Sequence, residues 1–325
     1  MVEQRELRVT QMTLEAEGVL SLRLTRIESD DPLPAWEPGA HIDVYVPDGS
    51  TRQYSLCGDP EDLSSWQVAV LREPEGRGGS AYVHDELRVG DRLKVTRPKQ
   101  SFALEDAPFH ALVAGGVGIT PIMAFAEHLD RQGRPFQLVY GGRSEQTMAF
   151  RQRLARLGDR VTFLAEDRDG RPDLEAVLKD LPADGLAYVC GPLPLLRAVE
   201  AAAENVHGPD QDVVRFELFS SAGVERAATS EDAAPAGEGY ELVLARSGHT
   251  LRLQPDANIL DVVLAVGVEV ENDCRDGICG SCITPVLAGT VEHRDLVLTK
   301  RERAAGDKML ICCSKPTCDR LELDL

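Results

Sequence analysis

Short runs of alternating apolar and polar residues fill the first third of the chain. RELRVTQMTL, VLSLRLTRI, HIDVYV, RQYSLC, WQVAVLRE and RLKVTRP each put every second side chain on one face, and Gly, Pro and Asp separate them. Closely spaced strands of this kind predict an antiparallel β-barrel over residues 1–105. The period then changes. FHALVAGG, FQLVYGG, VTFLAED and LAYVCGP are apolar strand-like runs. PIMAFAEHLDRQG, AFRQRLARLG, DLEAVLKDL and LPLLRAVEAAAEN, which fall between and after them, have helical spacing. Strands alternating with helices predict a doubly wound α/β sheet over residues 106–222, with FELF as its last strand. Residues 223–238 lie in a small, polar, aperiodic stretch and read as a linker. From residue 239, YELVLARS and HTLRLQP predict a hairpin and NILDVVLAVG a helix. A cysteine-rich loop, a strand MLICC and a tail LELDL come next, and together they predict a third, α+β domain over residues 239–325.

Composition narrows the function. The 325 residues are 43% hydrophobic, enough for packed cores, and carry a formal charge of −19. That balance speaks against nucleic acid, whose phosphates need clustered Lys and Arg. No stretch reaches the roughly 18 apolar residues of a membrane span. The N-terminal MVEQRELRVT has charges where a signal peptide has its apolar core. The reading is a cytoplasmic protein with no membrane partner. The seven histidines are scattered and read as structural or surface residues.

Six of the eight cysteines fall in the last 52 residues. Disulfides are unusual in a cytosolic protein of this size, so the clustering suggests a metal site. Cys274, Cys279 and Cys282 stand as C-x4-C-x2-C in CRDGICGSC, which is the plant-type spacing for a [2Fe–2S] cluster. Gly277, Gly280 and Ser281 are small, as a loop wrapped closely around a cluster requires. They leave backbone N–H groups free for its sulfurs. Zinc is the alternative, but its ligands usually come as two short pairs. Spacing leaves the fourth ligand open between Cys312 and Cys313. The segment resembles the plant-type ferredoxin family, a β-grasp fold, and this resemblance puts the ligand at Cys312.

LVAGGVGITP joins a strand to a helix. Gly115, Gly116 and Gly118 let backbone approach a pyrophosphate at the helix N-terminus. Thr120 is placed to cap the helix, and Pro121 suits its first turn. A Gly-rich turn without a ligand is the plainer reading of this motif alone. Its companions are R-x-Y-S (Arg52, Tyr54, Ser55), the segment Gly78–Gly79–Ser80 and the C-G-P triple (Cys190, Gly191, Pro192). In this order they resemble the ferredoxin–NADP reductase superfamily over residues 5–220.

The resemblance implies roles for these residues. Arg52 and the backbone around Gly78, Gly79 and Ser80 would hold the flavin phosphate. Tyr54 would pack on the flavin, and Ser55 would hydrogen-bond near its N5. Gly115 to Pro121 and Arg143 would hold the nicotinamide nucleotide. Cys190 would lie beside the nicotinamide, with Gly191 and Pro192 shaping the loop, and Phe219 would cover a flavin face. Ser55, Cys190 and Phe219 are then the catalytic candidates. Plain readings stand beside these roles: Tyr54 as a strand aromatic, Cys190 as a core cysteine, Phe219 as the anchor of a domain end.

Over nearly its full length the chain resembles the phthalate dioxygenase reductase family. That resemblance implies FMN in preference to FAD. It also implies NADH as the commoner donor, with Arg143 and Arg168 keeping NADPH open. The partner it implies is a separate terminal oxygenase, a Rieske enzyme or a cytochrome P450, met by transient docking. Asp273 and Asp276 are candidate docking charges. The chemistry is consistent, because hydride brings two electrons, a cluster accepts one, and a flavin can release a pair singly. The rival readings are a reductase that releases free reduced flavin, which needs no C-terminal cysteines, and a zinc-binding redox or scaffold protein.

Overall fold

The computed structural model describes residues 4–27, 31–74, 76, 78–182, 184–208, 211–219, 239–272, 275, 277, 280–295 and 297–325. The proposed linker at 223–238 lies outside the described residues, as do Cys274, Cys279, Asp273 and Asp276. Two compact units are present, Met1–Phe219 and Ser220–Leu325.

The first unit opens with strands β1 (Gln4–Ala16), β2 (Val19–Arg26), β3 (Ala40–Tyr45), β4 (Thr51–Ser55) and β5 (Ser65–Leu71). A helical turn, α1 (Gly79–Ala81), precedes β6 (Arg92–Thr96) and β7 (Lys99–Gln100). The strands pair in the order β4-β3-β6-β1-β2-β5, with β7 on β3. A bridge between Leu56 and Val68 joins the two ends of that path, so the sheet closes into a barrel. Alternation drives the closure: Leu7 and Val9 of β1, Leu22 and Leu24 of β2 and Ile42 and Val44 of β3 turn into one core with Trp66. Register shifts in β1, at Val9/Gln11 and Leu14/Ala16, mark bulges of the kind that bend a strand round a barrel.

The rest of the unit is a five-stranded parallel sheet of β8 (His110–Gly115), β9 (Phe136–Gly142), β10 (Val161–Ala165), β11 (Leu186–Cys190) and β12 (Val214–Glu217), in the order β10-β9-β8-β11-β12. Its helices are α2 (Ile119–Arg131), α3 (Arg151–Leu154), α4 (Glu166–Asp169), α5 (Leu174–Lys179) and α6 (Leu193–His207). α2 is buried over most of its length, Ile119 through Ala126. Its residues share one core with Val19, Cys57 and Ala69 of the barrel, while Ala124 enters the barrel core itself. Barrel and parallel sheet are therefore packed through a common apolar interior.

The second unit is a mixed sheet of β13 (Tyr240–Leu244), β14 (His249–Leu253), β15 (Ile283–Ala288), β17 (Lys308–Leu310) and β19 (Arg320–Leu323), in the order β14-β13-β19-β15-β17. A small pair, β16 (Val291–Glu292) with β18 (Lys315–Pro316), stands apart from it. α7 (Ile259–Ala265) lays Ile259, Leu260 and Val263 into the core, and α8 (Lys300–Ala305) begins with a capping box of Thr299 and Glu302. β13 and β19 run parallel and the other pairs antiparallel, the β-grasp arrangement. The three-part fold expected from the pattern is thus the fold observed.

Local expectations change in several places. LELDL is no tail: Leu321 and Leu323 are buried in β19, the central strand of the second sheet. MLICC is a strand only as far as Leu310, and Ile311–Cys313 turn back. AFRQRLARLG holds just one α-turn, α3, before tightening into a 3-10 segment where Gly158, at φ +65°, takes a conformation no helix allows. β10 stops at Ala165, and its acidic continuation becomes the turn α4. β12 ends at Glu217 because its partner β11 ends opposite, at Cys190, and Phe219 therefore lies beyond the strand.

Candidate redox site

β4 carries the R-x-Y-S residues. Arg52 donates from Nη1 to Ser50 Oγ at 2.8 Å and to the Thr51 carbonyl at 2.7 Å. Gly79 lies directly against it, and a Cβ there would come within 2.5 Å of Arg52 Cγ. Gly78, at φ +81°, makes the left-handed turn that brings this backbone in. The Ser80 hydroxyl accepts from the Glu73 N–H at 3.0 Å and so pins the segment. A guanidinium beside a glycine backbone is suited to a phosphate. Tyr54 packs on the barrel core, and burial pushes its phenol up to about 12, so it stays neutral.

Ser55 faces a group that the motifs did not reveal. Its hydroxyl donates to Glu217 Oε2 at 3.4 Å, and Ser101 Oγ donates to Glu217 Oε1, also at 3.4 Å. Ser101 in turn meets His41 Nδ1 at 3.1 Å. Burial pushes the Glu217 carboxyl up to about 8, so it holds its proton near neutrality. His41 is buried beside Ser55 across the β3–β4 ladder, a structural position and not a surface one. The only trace of Glu217 in the sequence is an acidic residue ending a short, half-buried strand. The trace of His41 is its alternation with Ile42 and Val44.

The Gly-rich turn and the C-G-P triple meet. A Cβ on Gly118 would lie 2.3 Å from the Cys190 carbonyl oxygen, and one on Gly115 2.9 Å from Pro192 Cδ. Gly191 packs on the same side of Gly115. Gly116, at φ +56°, faces open space and offers bare backbone there. Thr120 does not cap the helix. α2 starts one residue earlier through a 3-10 turn, and the Thr120 hydroxyl donates back to the Val117 carbonyl at 3.1 Å. Pro121 sits in the first turn, where its missing N–H costs nothing. Cys190 is fully buried, and burial raises its thiol well above the ordinary value. It therefore remains a thiol and packs in the core beneath the Gly-rich turn. Arg143 is exposed at the end of β9. Arg168 is engaged with Glu145 and Asp169. Phe219 is 38% exposed.

In the second unit Cys282 and Cys312 are buried together, with the Cys282 and Cys313 thiols and the Gly277 N–H within hydrogen-bonding reach of the Cys312 sulfur. Gly277, at φ +74°, must be glycine, because a Cβ would come 2.6 Å from Cys313 Sγ. Asn258 both caps α7 and donates to the Cys312 carbonyl at 2.9 Å, fixing the turn that carries it. Cys318 bonds instead to Thr290 and Arg320. Two converging buried thiols with a backbone N–H aimed at sulfur suit an iron–sulfur cluster.

Fold and site define a nicotinamide-dependent oxidoreductase joined to an iron–sulfur domain. Residues 112–201 match the oxidoreductase NAD-binding domain, and residues 242–317 the 2Fe-2S iron-sulfur cluster binding domain. The chain is 42% identical to the phenoxybenzoate dioxygenase subunit beta of Ectopseudomonas oleovorans, over 98% of this chain and 97% of that one. Phthalate dioxygenase reductase superposes with a TM-score of 0.68 at 32% identity, covering 99% of this chain and 98% of that one. An intact type IV self-sufficient cytochrome P450 monooxygenase superposes with a TM-score of 0.84 at 42% identity, and the chain spans 41% of that protein. The chain belongs to the phthalate dioxygenase reductase family.

Proposed function

We propose that this protein is the reductase of a two-component oxygenase system, moving electrons from NADH through FMN to a [2Fe–2S] cluster and on to a separate terminal oxygenase. The observation that carries the reading is the meeting of Gly118 with Cys190 in one unit and of Cys282 with Cys312 in the other: a nicotinamide cradle and a cluster cradle on one chain.

The residues divide the work. Gly115, Gly116 and Gly118 hold the nucleotide pyrophosphate against the start of α2. Cys190 and Gly191 form the floor under the nicotinamide. Arg52 and Gly79 hold the flavin phosphate, and FMN, with a single phosphate, matches a single guanidinium. A bound flavin supplies a two-electron acceptor that releases electrons singly. Oxidation of NADH to NAD⁺ yields two electrons and one proton, and the proton must leave a buried site. Ser55, Glu217, Ser101 and His41 form a chain of hydrogen-bonding groups beside it, with Glu217 holding a proton near neutral pH. Cys274, Cys279, Cys282 and Cys312 hold the irons.

NADH is favoured over NADPH because Arg168, a cation just past β10, already has two carboxylate partners, leaving less charge for a second phosphate. For the partner, the likeness to a dioxygenase subunit supports a Rieske-type oxygenase, and the likeness to a fused cytochrome P450 supports a haem enzyme in its place. Transient docking, suited to successive electron deliveries, is part of the proposal. Anaerobic spectra before and after NADH test the chain of carriers: flavin and cluster bands that both bleach support it. Flavin bands without cluster bands would favour release of free reduced flavin. Assays with one oxygenase of each type then assign the partner.

A further inference from the structure

The first unit contains a polar connection that neither cofactor site uses. α2 begins at the nucleotide turn, and on one of its faces, four residues apart, stand Glu127 and Arg131. Glu127 receives both arms of Arg153 from α3, at 2.6 Å from Nε and 2.6 Å from Nη2. The same guanidinium donates to the Cys57 carbonyl at 2.9 Å and the Gly58 carbonyl at 3.4 Å, and reaches Gln67 Oε1 at 3.5 Å. Beside it Arg131 Nη1 donates to Asp59 Oδ1 at 2.6 Å. Cys57, Gly58 and Asp59 come directly after β4, within four residues of Ser55. The segment that follows the strand carrying Arg52, Tyr54 and Ser55 is therefore bonded, through Arg153 and Arg131, to the helix that follows the nucleotide turn.

Stability alone is a poor reason for this arrangement. A partly buried ion pair recovers little beyond its desolvation, and apolar residues of similar volume often do as well. The apolar core shared by Cys57, Phe125 and Ala126 already holds the two halves together. What a planar fork adds is direction: two arms on one carboxylate and two carbonyl acceptors leave Arg153 a single position. Hydride transfer needs that kind of definition, because a displacement of about 1 Å can cost about 100-fold in rate.

We propose that Arg153 and Glu127, assisted by Arg131 and Asp59, are positioning residues for hydride transfer: they fix α2, and with it the nicotinamide, against the flavin-bearing strand. The inference rests on the chain being a flavin reductase that takes hydride from NADH. It assigns the hydride-transfer distance to a preset clamp within one unit, built from residues outside both proposed cofactor cradles.

The test uses the holoprotein and four variants, Arg153→Met, Arg153→Lys, Glu127→Gln and Arg131→Ala. Amide hydrogen exchange over residues 56–59 reports whether the clamp is open. Anaerobic stopped-flow absorbance reports hydride transfer from NADH, the nicotinamide–flavin charge-transfer band, and onward reduction of the cluster. Opening the clamp with Arg153→Met is expected to slow hydride transfer about 10- to 100-fold and weaken the charge-transfer band. NADH affinity and flavin-to-cluster transfer should stay within about twofold. Arg153→Lys, which keeps the charge and loses the fork, should fall between that variant and wild type. Faster exchange at 56–59 with hydride transfer within about twofold of wild type would overturn the proposal. An equal loss in every step would overturn it too, because that is general damage. If Arg153→Met does not fold, Glu127→Gln and Arg131→Ala are judged by the same two criteria. Wild-type protein that takes no electrons from NADH would overturn the functional reading itself, and the clamp with it.

Discussion

The carbonyl oxygen of Cys190 occupies the place where a side chain on Gly118 would begin, 2.3 Å from the Cβ position. The nucleotide turn and the end of β11 are thus in backbone contact, and the obstacle is main chain that cannot rotate away. Gly118 has φ −59°, so its backbone conformation suits any residue and only the contact demands glycine. Gly118→Ala is expected to push the turn off β11 and raise the KM for NADH about 10-fold or more, consistent with loss of positioned binding. Chemical reduction of the flavin and cluster by dithionite should be unaffected. Steady-state kinetics beside a dithionite titration check both halves of this expectation.

Arg52 and Gly79 approach almost as closely at the site proposed for the flavin phosphate. Arg52→Ala is expected to yield protein that loses its flavin on gel filtration while keeping its cluster absorbance. Arg52→Lys, a point charge without the fork, should retain flavin more weakly than wild type, by about 10-fold in Kd. Fluorescence of flavin released on dilution measures this directly. Weakened flavin retention with undiminished cluster bands would locate the phosphate at Arg52.

Glu217 makes the fold pH-sensitive. Its carboxyl titrates at about 8 in the folded chain and in the ordinary acidic range when unfolded. Between those values the folded chain holds a proton that the unfolded chain has released. Stability from this group therefore falls as pH rises through the window, and the loss is complete above about 8. Glu217→Gln removes the titration. Its Tm should decline less than that of wild type between about pH 6 and pH 9, while the two remain close at the acid end. Parallel declines across the range would mean that Glu217 ionises freely.

Periodicity and spacing along the chain already display the local elements. Alternation in HIDVYV and WQVAVLRE marks barrel strands, and the Gly-rich run marks the start of α2. Features that depend on pairing across long separations stay hidden. LELDL alternates like a strand, but nothing within its five residues names a pairing partner, so it reads as a tail. It becomes a strand only because β13, some 80 residues earlier, offers a parallel edge. Phe219 reads as strand because FELF is a mostly apolar run, yet β12 loses its partner where β11 ends at Cys190. Glu217 is one acidic residue among many until the fold sets it between Ser55 and Ser101. Arg153 likewise looks like a surface arginine of a helical run, and only the packing of α2 against the segment after β4 gives it acceptors.

The last four thiols separate by environment. Cys282 and Cys312 converge in a buried pocket, Cys313 lies half-buried beside Gly277, and Cys318 bonds to Thr290 and Arg320. Four thiolates are needed for a plant-type cluster, two per iron. Cys282→Ser and Cys312→Ser should each lose most of the visible cluster absorbance and bound iron, and with them NADH-driven reduction of an external one-electron acceptor. NADH bleaching of the flavin bands should persist, because that chemistry resides in the other unit. Cys318→Ser should keep full iron content. Cys313→Ser, next to a ligand and within reach of its sulfur, should keep the cluster but shift its reduction potential, since hydrogen bonds to ligand sulfurs set that value. Iron and acid-labile sulfide analysis with potentiometric titration distinguishes the three behaviours. Loss of iron in Cys313→Ser with retention in Cys312→Ser would move the fourth ligand by one residue.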